Sequence, residues 1–137
     1  MCWYTVYMTI YFSGIGGVGI GPLAEIAHDA GYTVAGSDLM AGPMTEQLSS
    51  RGITVYIGQN DADIAAFHEK TPIDWLVYSA SIPENNPERQ FAREHGIRES
   101  KRDELLAHII REHNLQMVAV AGTHGKTSTT SMLIWCF

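Results

Sequence analysis

Short apolar runs alternate along the chain with segments whose apolar residues recur at helical spacing. The apolar runs predict strands at "TIYFSG", "YTVAGSD", "ITVYIG", "DWLVYSA" and "MVAVAG", and "IRES" is expected to form a further short strand. The intervening segments, of about 8 to 14 residues each, predict helices, the first of them over "VGIGPLAEIAHDAG". Strands that alternate with helices in this way form right-handed βαβ units. The sequence therefore predicts an α/β fold of Rossmann-like type, with a parallel sheet that carries helices on both faces.

Signals at the ends of these segments support the predicted helices and one domain boundary. In "NPERQFAREHG", Asn86 is a candidate N-cap, Pro87 suits the first helical position and Gly96 suits the end of the helix. A polar loop at residues 113–116 separates the last predicted helix from "MVAVAG". We therefore expect a Rossmann-like domain over residues 1–115. Residues 116–137 are expected to form the strand, loop and helix that begin a second α/β domain.

The first predicted strand runs into the glycine-rich segment "SGIGGVGIG". It contains the spacing G-x-G-x-x-G at Gly14, Gly16 and Gly19, and Asp38 lies at the end of the second predicted strand. Glycines allow the backbone to approach a diphosphate, whose charge meets the free N–H groups at the start of a helix. An acid at this place can accept hydrogen bonds from a ribose or a base edge. The motif predicts binding of a nucleoside diphosphate without specifying NAD; a glycine-rich turn that binds nothing is the alternative.

A second glycine-rich segment, "GTHGKT", follows "MVAVAG". Its end, Gly125–Lys126–Thr127, matches the core of a phosphate-binding P-loop, although the nearest preceding glycine, Gly122, makes the loop shorter than usual. Backbone N–H groups of such a loop cradle phosphates. Lys126 can reach the β- and γ-phosphate oxygens, and the Thr127 hydroxyl can bind Mg²⁺. The alternative is a chance Gly-Lys-Thr turn, which the preceding apolar strand disfavours.

Composition excludes several classes of function. The 137 residues are 45% hydrophobic and 18% charged, as in a globular protein, and the net charge is −6. This charge argues against a broad surface for nucleic acid or acidic membranes, so local dipoles and one or two cations must hold any anionic ligand. The two cysteines, Cys2 and Cys136, indicate neither a disulfide framework nor a zinc site, and we expect a reduced, cytoplasmic setting. No apolar run reaches the roughly 18 residues that a membrane span requires.

Taken together, the two glycine-rich segments resemble those of the Mur ligases, the ATP-dependent, amide-forming enzymes of peptidoglycan synthesis. The resemblance rests on "GIGGVGIGPLAEIAHDAGYTVAGSD" and "AVAGTHGKTSTTSM", with support from "YSASIPENNPE" and "KRDELLAHII". Within the family, His124 and the form "GIGGVG" are most similar to the member that joins L-alanine to UDP-N-acetylmuramate. The member that adds the murein tripeptide is the alternative within the family.

The resemblance implies a set of ligands and the residues that bind them. In this family ATP phosphorylates the carboxylate of UDP-N-acetylmuramate to an acyl phosphate, and the amine of L-alanine attacks it to form the amide. Lys126 would act as a catalytic residue that stabilises the transferring phosphoryl group, and Thr127 would bind Mg²⁺. The expected ATP-binding residues are Gly122, Thr123, His124, Gly125, Lys126, Thr127 and Ser128. The expected UDP-sugar-binding residues are Gly14, Ile15, Gly16, Gly17, Val18, Gly19, Asp38, Ser79, Ala80 and Ser81.

Mur ligases have three domains, of which the resemblance covers the first and the beginning of the second. We therefore expect this chain to bind the UDP-sugar without turning it over. One alternative is an NAD(P)-dependent oxidoreductase or redox-sensing domain, which would use the first glycine motif and has no use for "GTHGKT". Another is a non-catalytic module that binds nucleotide sugars. Neither nucleic acid nor a membrane is expected as a partner.

Overall fold

Strands and helices alternate regularly in the computed structural model, which describes residues 8–116. In chain order they are β1 (Thr9–Ser13), α1 (Gly21–Asp29), β2 (Thr33–Asp38), α2 (Pro43–Ser50), β3 (Thr54–Ile57), α3 (Asp61–Lys70), β4 (Trp75–Tyr78), α4 (Pro87–Glu94), β5 (Arg98–Lys101) and α5 (Arg102–Glu112). Every strand predicted within these residues is present, including the short one at "IRES". The strand predicted at "MVAVAG" lies outside the described residues.

The five strands of this part of the chain form one parallel sheet, in the order β3-β2-β1-β4-β5. β1 lies at the centre, where Ile10 is in register with Val34 of β2 on one side and with Trp75 of β4 on the other. After β3 the chain therefore crosses to the opposite side of β1 before it adds β4 and β5. This reversal is a topological switch point, and ligands of such sheets bind beside it, at the carboxyl ends of the strands. The predicted parallel α/β fold is confirmed.

Helices cover both faces of the sheet, as the alternation predicted. On one face, α1, α2 and α5 bury side chains that include Leu23, Leu48 and Leu105. On the other face, α3 and α4 bury Ile64 and Phe91. Because both faces are covered, the central strands read as nearly continuous apolar runs. Within residues 8–116, no helix has the length and apolar character needed to cross a bilayer.

The ends of the helices follow their flanking residues. Asn86 caps α4 as predicted, because its side-chain oxygen accepts a hydrogen bond from the Glu88 N–H at 2.9 Å, and Pro87 occupies the first helical position. The helix after β1 begins later than its apolar pattern indicated, at Gly21. The preceding turn extends to residue 20 and is closed by a hydrogen bond from the Gly21 N–H to the Gly17 carbonyl at 2.8 Å. This longer turn contains the glycine motif and lies at the carboxyl end of the central strand.

Candidate functional site

A cleft opens at the switch point, where the turn after β1 faces the loop after β4. It has a volume of about 280 Å³. Its lining residues are Gly14, Gly16, Gly17, Asp38, Leu39, Gln59, Ser79, Ser81 and Ile82. Six of these nine residues belong to the predicted UDP-sugar set, and they come from three separate segments of the chain. The strand order thus brings these predicted residues together at one edge of the sheet.

A second cleft, of about 360 Å³, lies beside the first and shares Gly16 and Asp38 with it. Its remaining lining is largely apolar and consists of Val18, Met40, Gly42, Pro43, Met44, Thr45 and Gln47. Val18 is 96% exposed and Met40 is 76% exposed. Apolar side chains that stand open next to a few polar groups are typical of sites for organic ligands. The two clefts share Asp38, and the first is more polar than the second.

The turn after β1 requires glycine at its first position. Gly14 has a φ of +81°, and a Cβ atom there would lie 3.0 Å from the Cβ of Ser79. The N–H groups of Gly14 and Ile15 both donate to the Ser37 carbonyl, at 2.9 and 2.8 Å. The Ser79 N–H donates to the Ser13 carbonyl at 3.0 Å. The glycine turn and the β4 loop therefore lie in direct contact, and each is tied to the end of a neighbouring strand.

The loop after β4 supplies hydroxyl groups to the cleft. The hydroxyl oxygens of Ser79 and Ser81 lie 3.2 Å apart, within hydrogen-bond distance, and Ala80 between them is exposed. The Ile82 N–H donates to the Ser79 carbonyl at 2.9 Å and closes the loop. Both hydroxyl groups border the cleft, where each can donate to or accept from a sugar hydroxyl.

Asp38 contacts the glycine turn directly. Its carboxylate accepts hydrogen bonds from the Gly16 N–H at 2.8 Å and from the Met40 N–H at 3.3 Å. The sequence predicted a contact from Asp38 to a nucleoside, whereas these bonds show that the same carboxylate also holds the turn and the β2–α2 loop. A carboxylate has about four acceptor positions, so two stay open for ligand hydroxyl or N–H groups.

The N–H groups of the glycine turn divide into two sets. Those of Val18 and Gly19 find no acceptor within residues 8–116. The others donate within the protein, namely those of Gly14, Ile15, Gly16, Gly17 and Ile20. The side chain of Ile15 is also fully buried in the core. An anion at this turn would therefore meet first the N–H groups of Val18 and Gly19, just before the positive end of the α1 dipole.

Arg102, the first residue of α5, lies against the same turn. A Cβ atom at Gly19 would overlap a guanidinium nitrogen of Arg102, so the guanidinium group lies directly against the backbone of Gly19. None of the ion pairs found among the described residues involves Arg102. A guanidinium group matches the geometry of phosphate oxygens, and the net charge of −6 makes such a local cation necessary for an anionic ligand.

Glu88 lies beneath the site and is fully buried on the first turn of α4. Its carboxylate accepts hydrogen bonds from the hydroxyl groups of Ser13 at 2.5 Å, Ser37 at 2.8 Å and Tyr11 at 3.0 Å. Burial raises the pKa of the Glu88 carboxyl, and the bonds from Ser13, Ser37 and Tyr11 oppose this effect only in part. Burial, together with the nearby Glu88 charge, also raises the pKa of the Tyr11 hydroxyl.

Neither Arg102 nor Glu88 was predicted from the sequence as part of the site. Acidic residues are common in the first turn of any helix, where they complement its dipole, so "NPE" carried no sign that Glu88 is buried. Arg102 reaches Gly19 only because α5 packs beside α1 on the same face of the sheet. The available signal for Arg102 was its position directly after a strand, at the carboxyl edge where ligands bind.

The second glycine loop lies outside the described residues, and with it every predicted ATP contact at residues 122–128. Within residues 8–116, no group of three or more His, Cys, Asp or Glu side chains could hold a metal ion. The Mg²⁺ contact of Thr127, the catalytic role of Lys126 and the domain boundary at residue 115 therefore stay predictions.

A doubly wound parallel sheet, with a glycine turn and an acid beside its switch point, places the domain in the Rossmann-like class, in which this arrangement is typical of nucleotide-binding proteins. Residues 9–114 match the family model described as "Mur ligase family, catalytic domain". The chain belongs to the Mur ligase family. The family predicted from the two glycine-rich segments is thereby confirmed.

Curated relatives named UDP-N-acetylmuramate–L-alanine ligase match nearly the whole chain. The protein from Clostridium acetobutylicum is 42% identical over 124 residues, which are 90% of this chain and 26% of that protein. The protein from Agathobacter rectalis is 45% identical over 124 residues, again 90% of this chain and 26% of the relative. The chain thus spans about a quarter of the length of these curated relatives.

Two solved structures of ligases share the fold. The UDP-N-acetylmuramate–alanine ligase from Thermotoga maritima has a TM-score of 0.79 at 26% identity, and the match covers 93% of this chain and 28% of the Thermotoga chain. The UDP-N-acetylmuramate:L-alanyl-γ-D-glutamyl-meso-diaminopimelate ligase from Neisseria meningitides has a TM-score of 0.80 at 34% identity, and the match covers 95% of this chain and 39% of the Neisseria chain. UDP-N-acetylmuramate appears in the names of both enzymes.

Proposed function

We propose that the chain provides the UDP-N-acetylmuramate-binding domain of a ligase that joins this sugar nucleotide to L-alanine in peptidoglycan synthesis, at the expense of ATP. The proposal rests on the paired clefts at the switch point, where the glycine turn, Asp38 and the Ser79–Ser81 loop converge beside Arg102. These residues occur in a chain that is 42–45% identical to proteins named for this reaction.

The diphosphate is proposed to bind at the second half of the glycine turn. The N–H groups of Val18 and Gly19 and the guanidinium group of Arg102 offer hydrogen-bond donors and positive charge at one place. The nearby carboxylate of Asp38 would repel a phosphate group, but it is suited to accept from the ribose hydroxyls. The phosphates therefore belong on the Arg102 side of the turn and the nucleoside on the Asp38 side.

The remaining parts of the sugar nucleotide are assigned to the two clefts. The apolar cleft beside Val18 and Met40 suits the uracil ring, because exposed apolar side chains gain most from contact with a flat organic group. The polar cleft beside Ser79 and Ser81 suits the N-acetylmuramate hydroxyl groups, and the exposed Ala80 lies between these two serines in the chain. ATP with Mg²⁺ is assigned to the second glycine loop through Lys126 and Thr127.

The ligase that adds the murein tripeptide is the second candidate, because a member of that kind superposes with a TM-score of 0.80 at 34% identity. Both candidates have UDP-N-acetylmuramate in their names, so the proposed ligand of this domain is the same in either case. The curated alanine ligases are more similar, at 42–45% identity, and favour the first candidate. Membership of the Mur ligase family disfavours the oxidoreductase alternative.

Calorimetric titration of this chain tests the proposal. UDP-N-acetylmuramate and UDP are expected to bind, uridine is expected to bind more weakly because it lacks the diphosphate, and NADH is expected to produce no binding heat. Binding of NADH without binding of the UDP-sugar would overturn the proposal and return the glycine motif to its use in dinucleotide binding.

The diphosphate assignment is tested with Arg102→Ala against Arg98→Ala. Both variants remove one exposed positive charge, but Arg98 lies at the opposite end of β5, where its guanidinium stacks on Trp75 at 3.7 Å from the ring centre. Arg102→Ala is expected to weaken UDP binding by roughly tenfold and to leave uridine binding unchanged. Arg98→Ala is expected to change neither. An equal loss for UDP and uridine in Arg102→Ala would contradict a contact with phosphate.

A further inference from the structure

Glu88 is the fully buried acid within the part of the chain that the structure describes. It lies at the second position of α4, where the helix dipole favours a negative charge, and its carboxylate is bound by three hydroxyl groups from two neighbouring strands. Tyr11 and Ser13 belong to β1, and Ser37 belongs to β2. One carboxylate therefore links the first turn of α4 to β1 and β2.

Two of these hydroxyl donors also hold the ligand loops. The Ser37 carbonyl accepts hydrogen bonds from the N–H groups of Gly14 and Ile15, so the backbone of Ser37 holds the glycine turn in place. The Ser13 carbonyl accepts a hydrogen bond from the Ser79 N–H, so the backbone of Ser13 holds the loop after β4 in place. Glu88 thus binds the side chains of Ser13 and Ser37, and the carbonyl groups of these two residues hold the two sides of the cleft, the glycine turn and the loop after β4.

A polar cluster at this place is not what stability alone would select. A buried carboxylate loses its hydration, and apolar residues of similar volume are often as stable or more stable. Apolar residues such as Ala35 and Leu76 lie in the same layer as the cluster. Hydrogen bonds are directional, whereas apolar packing is not, so the cluster defines the positions of Ser13 and Ser37 more narrowly than apolar side chains would.

We propose that Glu88 is a positioning residue of the nucleotide-sugar site, which fixes the glycine turn and the Ser79–Ser81 loop relative to each other through Ser13 and Ser37. This inference rests on the proposed function for the identity of the ligand. Glu88 itself lies beneath the loops and touches no ligand; it acts by keeping the two walls of the cleft at the spacing that the diphosphate and the sugar require.

Replacement of Glu88 tests the inference through binding of UDP-N-acetylmuramate to this chain, measured by calorimetry. Glu88→Ala leaves the three hydroxyl groups without their shared acceptor and is expected to weaken binding by roughly tenfold or more. Glu88→Gln keeps the shape and one acceptor oxygen, and hydroxyl groups can rotate to accept from its amide, so it is expected to bind within about threefold of the wild type.

Ser100→Ala is the matched control. Ser100 is buried on β5, and its hydroxyl accepts a hydrogen bond from the Trp75 indole N–H at 2.8 Å, away from both ligand loops. Its loss is expected to lower stability and to leave the UDP-N-acetylmuramate affinity unchanged within about twofold. If Ser100→Ala weakens binding as much as Glu88→Ala does, the effect of Glu88 is one of general stability and the inference is wrong.

Amide hydrogen exchange without ligand separates this inference from the proposed function. The amides of Gly14, Ile15 and Ser79 are expected to exchange at least roughly tenfold faster in Glu88→Ala than in the wild type, and amides of β5 much less so. Unchanged protection of these three amides would overturn the inference. If wild-type chain fails to bind UDP-N-acetylmuramate, the proposed function fails, while the exchange result still decides whether Glu88 positions the loops.

A milder variant keeps the test open if Glu88→Ala does not fold. Ser37→Ala removes one donor and leaves Glu88 with its bonds from Ser13 and Tyr11. It is expected to weaken binding by roughly threefold or more and to expose the amides of the glycine turn to faster exchange. The same affinity as Ser100→Ala, together with unchanged exchange at Gly14, would contradict the inference.

Discussion

Substitution of Gly14 by alanine should disturb both the stability of the domain and the shape of its ligand cleft. Gly14 has a φ of +81°, in the left-handed region that side chains with a Cβ atom disfavour. An added Cβ would also lie 3.0 Å from the Cβ of Ser79, well inside an ordinary carbon–carbon contact of about 3.5–4.0 Å. Ser79 cannot simply retreat, because its N–H is bonded to the Ser13 carbonyl.

The magnitude follows from these two effects. The left-handed conformation costs about 1–2 kcal/mol for a residue other than glycine. The crowded contact adds about 1–3 kcal/mol, as for other overpacked sites. Gly52 provides a matched control, since its φ is +84° and an added Cβ would meet no atom within 4 Å. Gly52→Ala should therefore destabilise the domain by the conformational effect alone, and Gly14→Ala by roughly twice as much or more.

Urea unfolding gives the two free energies, and calorimetry gives the affinity for UDP-N-acetylmuramate. We expect Gly14→Ala to weaken binding by roughly tenfold or more, because the turn and the β4 loop must separate to admit the methyl group. Gly52→Ala should bind like the wild type. Equal destabilisation by the two substitutions, or unchanged binding in Gly14→Ala, would refute the argument that the contact between Gly14 and Ser79 sets the spacing of the cleft.

Three further predictions concern stability. Ser100→Ala should lower the free energy of unfolding in urea by about 1–3 kcal/mol, because it leaves the buried indole N–H of Trp75 without an acceptor. Burial disfavours the charged form of Glu99, but the hydrogen bonds from Arg89 and Arg93 outweigh the effect of burial and lower the Glu99 pKa. Glu99 therefore stabilises the folded domain at pH values above its ordinary pKa of about 4.3, and this stabilisation is lost as the pH falls through the lowered pKa. Glu99→Gln should make the free energy of unfolding in urea depend less on pH in this acidic range. The pKa of Glu88 is raised mainly by burial, so its effect on stability has the opposite sign. The free energy of unfolding should fall as the pH rises from about 4.3 through the raised pKa. Glu88→Gln should abolish this fall.

The elements of the fold could be predicted because local patterns determine them. The strands and helices follow from apolar periodicity, and the cap at Asn86 and the turn at Gly14 follow from the conformations that these residue types prefer. The parallel arrangement follows from the alternation of strands and helices. The start of α1 was the exception, since "VGIG" has helical spacing but forms a turn closed on Gly17.

The candidate site was predictable to the extent that it resides in motifs. Gly14, Gly16, Gly17, Asp38 and the serines after β4 line one cleft, as a nucleotide site at the carboxyl edge of a parallel sheet requires. The sequence could not reveal which N–H groups of the glycine turn stay open, because several of them donate to Ser37 and Asp38, which lie far along the chain and meet the turn only in the folded sheet.

By itself, then, the sequence determined the class of fold, the glycine turn and the acid at the end of β2, because each is encoded over a few neighbouring residues. Only the tertiary structure decided the roles of Glu88 and Arg102. Glu88 is an ordinary helix-start acid until α4 docks on the sheet and removes it from water, where three hydroxyl groups from other strands must satisfy it. Arg102 becomes a neighbour of Gly19 only when α5 packs beside α1. Burial and charge proximity are properties of packed surfaces, and no local pattern of residues specifies them.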